Sequence, residues 1–325
     1  MLSHFARLGL VGPAPGRPLS ATSRLAAPLA PTISPNAMMT PFVSVRTMAS
    51  ASSMYGQKFG QSPMAGAFRP LLAAGATTIG FYSIAAITSR FGRAVAAKKQ
   101  LSGRPAVKRP IIFGLDASTL AFLTVQTGIF ASWTTQRNMN TMYRLFTYNT
   151  ARPTFTSSLL STVSHATPLH FGFNSFAFYS LSRIPFFWND RSFFFATLLS
   201  GSAVATAITG AYSTLTRSPV SLLGLSGGLY ALFSYYVMRD PDARFGIIFL
   251  PGISLRGPEM LLLASAFEIA GVLKLFRSSI SHTSHLGGML FGLLAFYGIT
   301  PIWERRDRFL GPINRLIDQV AFKLA

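Results

Sequence analysis

Charged side chains are so sparse along this chain that the runs between them constrain the fold more than any motif does. Long uncharged or nearly uncharged stretches lie between Arg69 and Arg90, Arg109 and Arg137, Arg152 and Arg183, Arg191 and Arg217, and Arg217 and Arg239. Two more run from Glu259 to Arg277, interrupted by Glu268 and Lys274, and from Arg277 to Glu304. A helix needs about 20 largely apolar residues to cross the hydrocarbon core, so these read as seven candidate spans. Composition agrees: 12% of residues are charged and half are hydrophobic, against about a quarter charged in soluble domains. The formal charge of +20 fits either nucleic acid or an anionic membrane surface, and the hydrophobicity selects the membrane and no nucleic acid. With no cysteine, disulfides, thiolate metal sites and a cysteine nucleophile are excluded.

The basic linker Arg90, Arg93, Lys98, Lys99, Arg104, Lys108 and Arg109 separates the first span from the other six. The expected organisation is a leader over 1–69, an extra helix over 70–89, the linker over 90–110, a six-helix unit over 111–303 and an amphipathic basic tail over 304–325. With six crossings, the face where that unit begins collects the linker, Arg183, Arg191, Arg239, Arg244, Arg256 and the tail's arginines, while the opposite face receives far fewer. A miscounted helix would scramble that asymmetry.

Before Asp116 there is no acidic residue, while Arg7, Arg17, Arg24, Arg46, Lys58 and Arg69 are spread among Ser, Ala, Thr and Pro. That is the composition of a mitochondrial transit peptide rather than a secretory signal. Thr135 to Arg152, and the tail with Ile313, Leu316, Ile317, Val320 and Leu324, suit helices lying in the headgroup plane; packing on the protein's own surface is the alternative for the tail. The stretch Phe245 to Pro258, with Pro251, Gly252 and Gly257, reads as a turn-rich connection.

Polar groups inside the spans are expensive in lipid and point to function. Three clusters qualify: Ser164-His165 through His170 and Asn174; Gly224-Leu225-Ser226-Gly227-Gly228-Leu229-Tyr230; and Ser284-His285-Leu286-Gly287-Gly288 through Gly292. Taken singly each has a plain explanation, since glycines four apart such as Gly288 and Gly292 serve helix packing and a helical serine bonds its own backbone. Topology raises their weight. The clusters fall on the second, fourth and sixth helices of the unit, each in the first turns, so they share a shallow depth below one face. A converging Ser226 and His285 meets the requirement for nucleophilic catalysis. Asp116 and Glu268 are the acids within spans and neither is beside a cluster in sequence, so the expectation is a dyad without an orienting carboxylate. His170, Asn174 and the Ser226 N–H are the expected oxyanion donors.

The joint pattern His170-x-x-x-Asn174, Gly224-x-Ser226-Gly227 and His285-x-x-Gly288-x-x-x-Gly292 resembles the rhomboid intramembrane serine proteases, over roughly 112–303. The resemblance implies an all-α polytopic membrane protein with Ser226 as nucleophile, His285 as base, and His170 and Asn174 at the oxyanion hole. It implies that Tyr230 stacks on the histidine, that His165 lies near the mouth of the site, and that no cofactor or metal takes part. The extra leading helix and the leader resemble the mitochondrial, presenilin-associated type, in a 1+6 arrangement in the inner membrane with membrane-anchored proteins as substrates. One departure is that Thr135 to Phe155 lacks the Trp-Arg pair many rhomboids carry, offering only Arg144 and Arg152. On orientation, the family suggests a C-terminus in the intermembrane space, whereas charge counting puts the basic face in the matrix. Two other classes are a catalytically silent rhomboid-like protein, which generally lacks the Ser or His present here, and a metal site or transporter using His165, His170, His282 and His285, which no acidic ligand was expected to join. Substrates are expected to carry helix-weakening residues near the site's face, with a small residue fitting beside Gly227 and Gly228.

Overall fold

In the computed structural model the described residues are 63–103, 111–112, 115–135, 138–247, 250–311 and 313–324. The leader up to residue 62, and Arg104, Lys108, Arg109 and Arg137, lie outside them. The eight longest helices among the described residues, in chain order, are α1 (Pro63–Leu101), α2 (Ala117–Thr134), α3 (Pro168–Ser182), α4 (Arg191–Thr216), α5 (Ser226–Arg239), α6 (Gly257–Val272), α7 (His282–Leu294) and α8 (Ile313–Leu324). Segments Gly66–Leu101, Arg191–Thr216 and His282–Glu304 are long and apolar enough to cross a membrane. The last is α7 continued through one π-helical turn at Ala295–Ile299 and a final turn at Thr300–Glu304.

Local chemistry sets the helix starts. Asp116 caps α2 through Ser118 and Thr119, Thr167 precedes Pro168 and caps α3, and Asp190 accepts from the Phe193 N–H at the start of α4; such side chains replace the partners that first-turn amides lack. At α6, Pro258 occupies the first turn and the Glu259 carboxylate accepts from the Arg256 N–H at 2.9 Å.

Three expectations change. The first helix does not stop at residue 89 but continues to Leu101, because the basic residues that end an apolar run are good helix formers and find partners. Asp318 takes two hydrogen bonds from Arg90 (2.9 and 2.5 Å), Asp307 takes one from Arg93 (2.7 Å), and Lys98 donates to the Phe322 carbonyl. The Arg90 hydrogen bond holds the Asp318 carboxyl below its ordinary range. The tail helix α8 therefore packs on α1, burying Ile317 and Ala321. Asp116 lies ahead of α2 rather than within it, buried and paired with Arg191. Burial pushes its carboxyl up, but hydrogen bonds from Ser118 and Thr119 and the Arg191 charge outweigh that and hold it low. Finally, the expected turn-rich connection is a hairpin, with Arg244–Ile247 antiparallel to Leu250–Arg256 and the register irregular at Gly246/Ile247.

The core is aromatic and lies among α3, α4, α5 and α7, with Phe178, Phe187, Phe193, Phe194, Tyr235, Phe291 and Trp303 buried together. Helix α1 joins it through Tyr82, whose ring meets Phe193 and Trp303 edge-on and whose hydroxyl shares a 2.8 Å hydrogen bond with Thr197. On its other flank α5 meets α4 and α7 nearly backbone to backbone. A Cβ on Gly201 would fall 2.3 Å from the Ala231 Cβ, one on Gly228 2.3 Å from the Leu198 carbonyl oxygen, and one on Gly292 2.2 Å from the Ala231 carbonyl oxygen. Glycine makes this approach geometrically possible, and it fixes where α5 begins.

Candidate active site

Ser226 is the first residue of α5. The loop before it is held on three sides. Tyr148–Asn149 pairs antiparallel with Ser221–Leu222, the Gly224 N–H donates to the Ser161 carbonyl at 2.8 Å, and the Leu225 N–H donates to His165 Nε2 at 3.4 Å. Gly224 has φ +119°, and a Cβ there would sit 2.5 Å from the His170 ring. Both the backbone conformation and the packed imidazole require glycine at that position.

The fourth residue of α7, His285, places Nε2 2.8 Å from Ser226 Oγ. Its Nδ1 lies 2.8 Å from Glu268 Oε1 on α6. A proton on Nδ1 donated to the carboxylate leaves Nε2 free to accept from the serine hydroxyl, which fixes the tautomer from the surroundings. Tyr230, one turn beyond Ser226, lies against His285 with ring centroids 4.5 Å apart and the planes tilted by 30°, and also donates its hydroxyl to Glu268 Oε1 at 2.9 Å. Glu268 is 1% exposed, and a carboxylate so placed is tolerable only when hydrogen-bonded. Ser226 opens a helix, so its amide is among those with no intrahelical acceptor and the positive end of the helix dipole lies at the serine.

The remaining expected residues lie close by. His170, the third residue of α3, packs against Gly224, and its ring meets His165 edge-on at 5.0 Å. His165 is fully buried and holds the loop before the serine rather than lining an open mouth. Asn174 is buried and its Nδ2 donates to the His170 carbonyl at 2.8 Å, within its own helix. A Cβ on Gly288 would lie 2.0 Å from the Gly227 carbonyl oxygen, so that glycine brings α7 onto α5.

A family model described as a Rhomboid domain matches residues 140–301, the stretch that contains every one of these groups. The chain belongs to the rhomboid family. Its helical architecture is that of a polytopic membrane protein. Similar relatives are presenilin-associated rhomboid-like protein A, mitochondrial, of Danio rerio, 29% identical over 57% of this chain and 49% of its own length. The human presenilin-associated rhomboid-like protein, mitochondrial, is 30% identical over 55% of this chain and 48% of its own length, and that of Bos taurus matches equally. The chain thus spans about half the length of the curated relatives it matches.

Two expectations about this rhomboid site are corrected by its geometry. The carboxylate thought to be absent is Glu268, distant from the clusters in sequence yet hydrogen-bonded to His285; as one of two acids inside expected spans it already carried a signal, because intramembrane acids rarely lack a partner. Gly227 and Gly228 do not make room for a substrate. Their open sides face Ala205 and Ser284, and Leu198 and Ser202, so both belong to the helix packing. His282, whose Nδ1 lies 2.5 Å from Glu268 Oε2, figured in the sequence only as a possible metal ligand. Its place three residues before His285, on the same helical face, was the available clue.

Proposed function

We propose that this rhomboid is an intramembrane serine protease of the mitochondrial inner membrane, with the extra helix α1 ahead of a six-helix core. The observation that carries the reading is the continuous path from Ser226 Oγ to His285 Nε2 (2.8 Å) and from His285 Nδ1 to Glu268 (2.8 Å). His285 accepts the hydroxyl proton as Ser226 Oγ attacks the scissile carbonyl, then returns it to the leaving amine. Glu268 orients the imidazole and balances the charge the imidazolium acquires, as a buried carboxylate does in a Ser-His-acid arrangement. Water then releases the acyl group, with His285 again as base.

The oxyanion falls at the start of α5, where the Ser226 amide and the helix dipole favour negative charge. His170 and Asn174 complete the donor set, Asn174 turning its amide from the His170 carbonyl toward the substrate. Loss of one such donor typically costs about 100- to 1,000-fold in rate. The serine opens α5, His285 is the fourth residue of α7 and His170 the third of α3. At about 1.5 Å rise per residue they share one shallow level, so a transmembrane substrate must unwind near that face. Straight, Leu-rich spans resist, because an exposed amide in hydrocarbon costs several kcal/mol. Membrane-anchored proteins with Gly, Pro or Ser near that end of their span are the expected substrates, and the curated relatives' mitochondrial names together with the acid-free leader support the compartment.

The test is cleavage of such a membrane-anchored peptide by the full chain in lipid vesicles. Ser226→Ala and His285→Ala should each abolish cleavage while membrane insertion is kept, and the double variant should be no worse than either single one. Cleavage by purified Ser226→Ala protein overturns the reading.

A further inference from the structure

Glu268 receives three hydrogen bonds, and they are unequally divided. Oε1 takes both His285 Nδ1 and the Tyr230 hydroxyl, while Oε2 is met by His282 Nδ1 alone among the described residues. The terminal torsion of a glutamate is broad and has no strong preference of its own, so the plane of the carboxylate is set by what grips its two oxygens. His282 and His285 are three residues apart on α7 and therefore share a face. One carboxylate can bridge them, a histidine to each oxygen.

His282 is itself rigidly seated. It is buried, Phe267 and Phe276 meet its ring edge-on at centroid distances of 5.7 and 5.5 Å, and a Cβ on Gly271 would lie 2.3 Å from the ring. Its Nε2 is buried with no hydrogen-bond partner among the described residues. The tautomer with its proton on Nδ1 leaves only a lone pair unmet, which costs less than an orphaned donor. Among the described residues, the polar interaction of its ring is thus directed at Glu268.

We infer that His282 is a positioning residue for the proposed reaction: by holding Oε2 it fixes the carboxylate plane, so that Oε1 stays in line with His285 Nδ1 and His285 Nε2 stays on Ser226. The inference rests on the protease reading for its effect on rate, but not for its effect on the imidazole. Without His282 the carboxylate keeps its charge but loses its second anchor, and it turns about its terminal torsion. The hydrogen bond to His285 then lengthens and the base loses its alignment, while substrate binding is untouched.

The experiment compares wild type, His282→Phe, His282→Asn, Glu268→Ala and the double variant His282→Phe/Glu268→Ala, each as the full chain in vesicles with a fluorogenic transmembrane peptide. His282→Phe should lower kcat roughly ten- to a hundredfold, the usual scale for removing a partner that orients an active group, with KM unchanged. His282→Asn, which keeps a donor, should recover part of the loss. In the Glu268→Ala background His282→Phe should have no further effect. An equal loss in both backgrounds, or a rise in KM in place of the fall in kcat, overturns the inference. If His282→Phe does not accumulate in the membrane, His282→Asn and His282→Ala are compared in the same two backgrounds. A second readout does not depend on cleavage: in histidine-labelled protein the downfield Nδ1–H proton of His285 should move upfield in His282→Phe and partly return in His282→Asn. An unmoved resonance overturns the inference. If Ser226→Ala protein still cleaves, the protease reading falls while this resonance decides the role of His282 by itself.

Discussion

The two helices that bring partners to Ser226 are attached to the rest of the molecule by opposite means. Helix α7 meets α5 through glycines, with the Gly227 carbonyl oxygen where a Cβ on Gly288 would be. Helix α6 buries only Gly257 and Glu268 and leaves Leu262, Leu263, Phe267 and Ile269 substantially exposed. Polar contact from α6 to its neighbours runs largely through Glu268, with Ser265 Oγ 3.4 Å from Met289 Sδ as a weaker addition. The base is therefore set by backbone proximity, which tolerates no added atom, and the group that orients it chiefly by side-chain hydrogen bonds, with the His282 ring seated on Gly271 as the one close approach from α6 described above. Function and stability should separate along that line.

The largest effect that would break this contrast is at Gly288. Overpacking costs typically about 1–3 kcal/mol and more where backbone must move, and the obstacle here is backbone. Gly288→Ala should lower the thermal midpoint of the detergent-solubilised protein strongly or prevent its accumulation. Gly298→Ala, three turns on and with nothing within 4 Å of the added Cβ, should not. Similar behaviour of the two, followed by thermal aggregation, would show that α5 and α7 are not held by close approach.

An intermediate effect is expected at Glu268, and it should be the reverse in kind. Glu268→Gln keeps the shape but loses the charge, and an analogous acid-to-amide change in a serine protease costs about 10⁴-fold in kcat. A fall of about 10²- to 10⁴-fold in kcat with only a modest loss of thermal stability is the expected outcome. Full activity in Glu268→Gln would return the site to a simple dyad.

The smallest effect belongs to the outer face of α6. Leu262 is 72% exposed, and exposed substitutions away from special features usually stay within about 0.5 kcal/mol. Leu262→Ala should leave both the thermal midpoint and kcat within error. A clear loss in either would mean that a partner covers this face in the membrane.

How much of this was legible in the sequence differs between the same two regions. The helices carrying Ser226, His285 and His170 could be read because their polar residues interrupt apolar runs and their glycines recur at helical spacing, local signals both. Glu268 could be seen only as an anomaly, an acid within an apolar run. Its partners lie 17 residues away at His285 and 38 residues away at Tyr230, and nothing in a one-dimensional pattern specifies how α6 rotates about its axis. The length of α1 was misjudged for a related reason: charge marks where lipid ends, not where a helix does. The hairpin over 244–256 was hidden by its prolines and glycines, which signal turns whether or not the flanking residues pair.

The hydrogen bonds between α8 and α1 carry one further consequence, for the order of assembly. Arg90 and Asp318 are 228 positions apart, so α1 can complete these contacts only after α8, and every helix between the two, has been made. Until α8 docks, Arg90 lacks the Asp318 carboxylate that it meets in the folded chain.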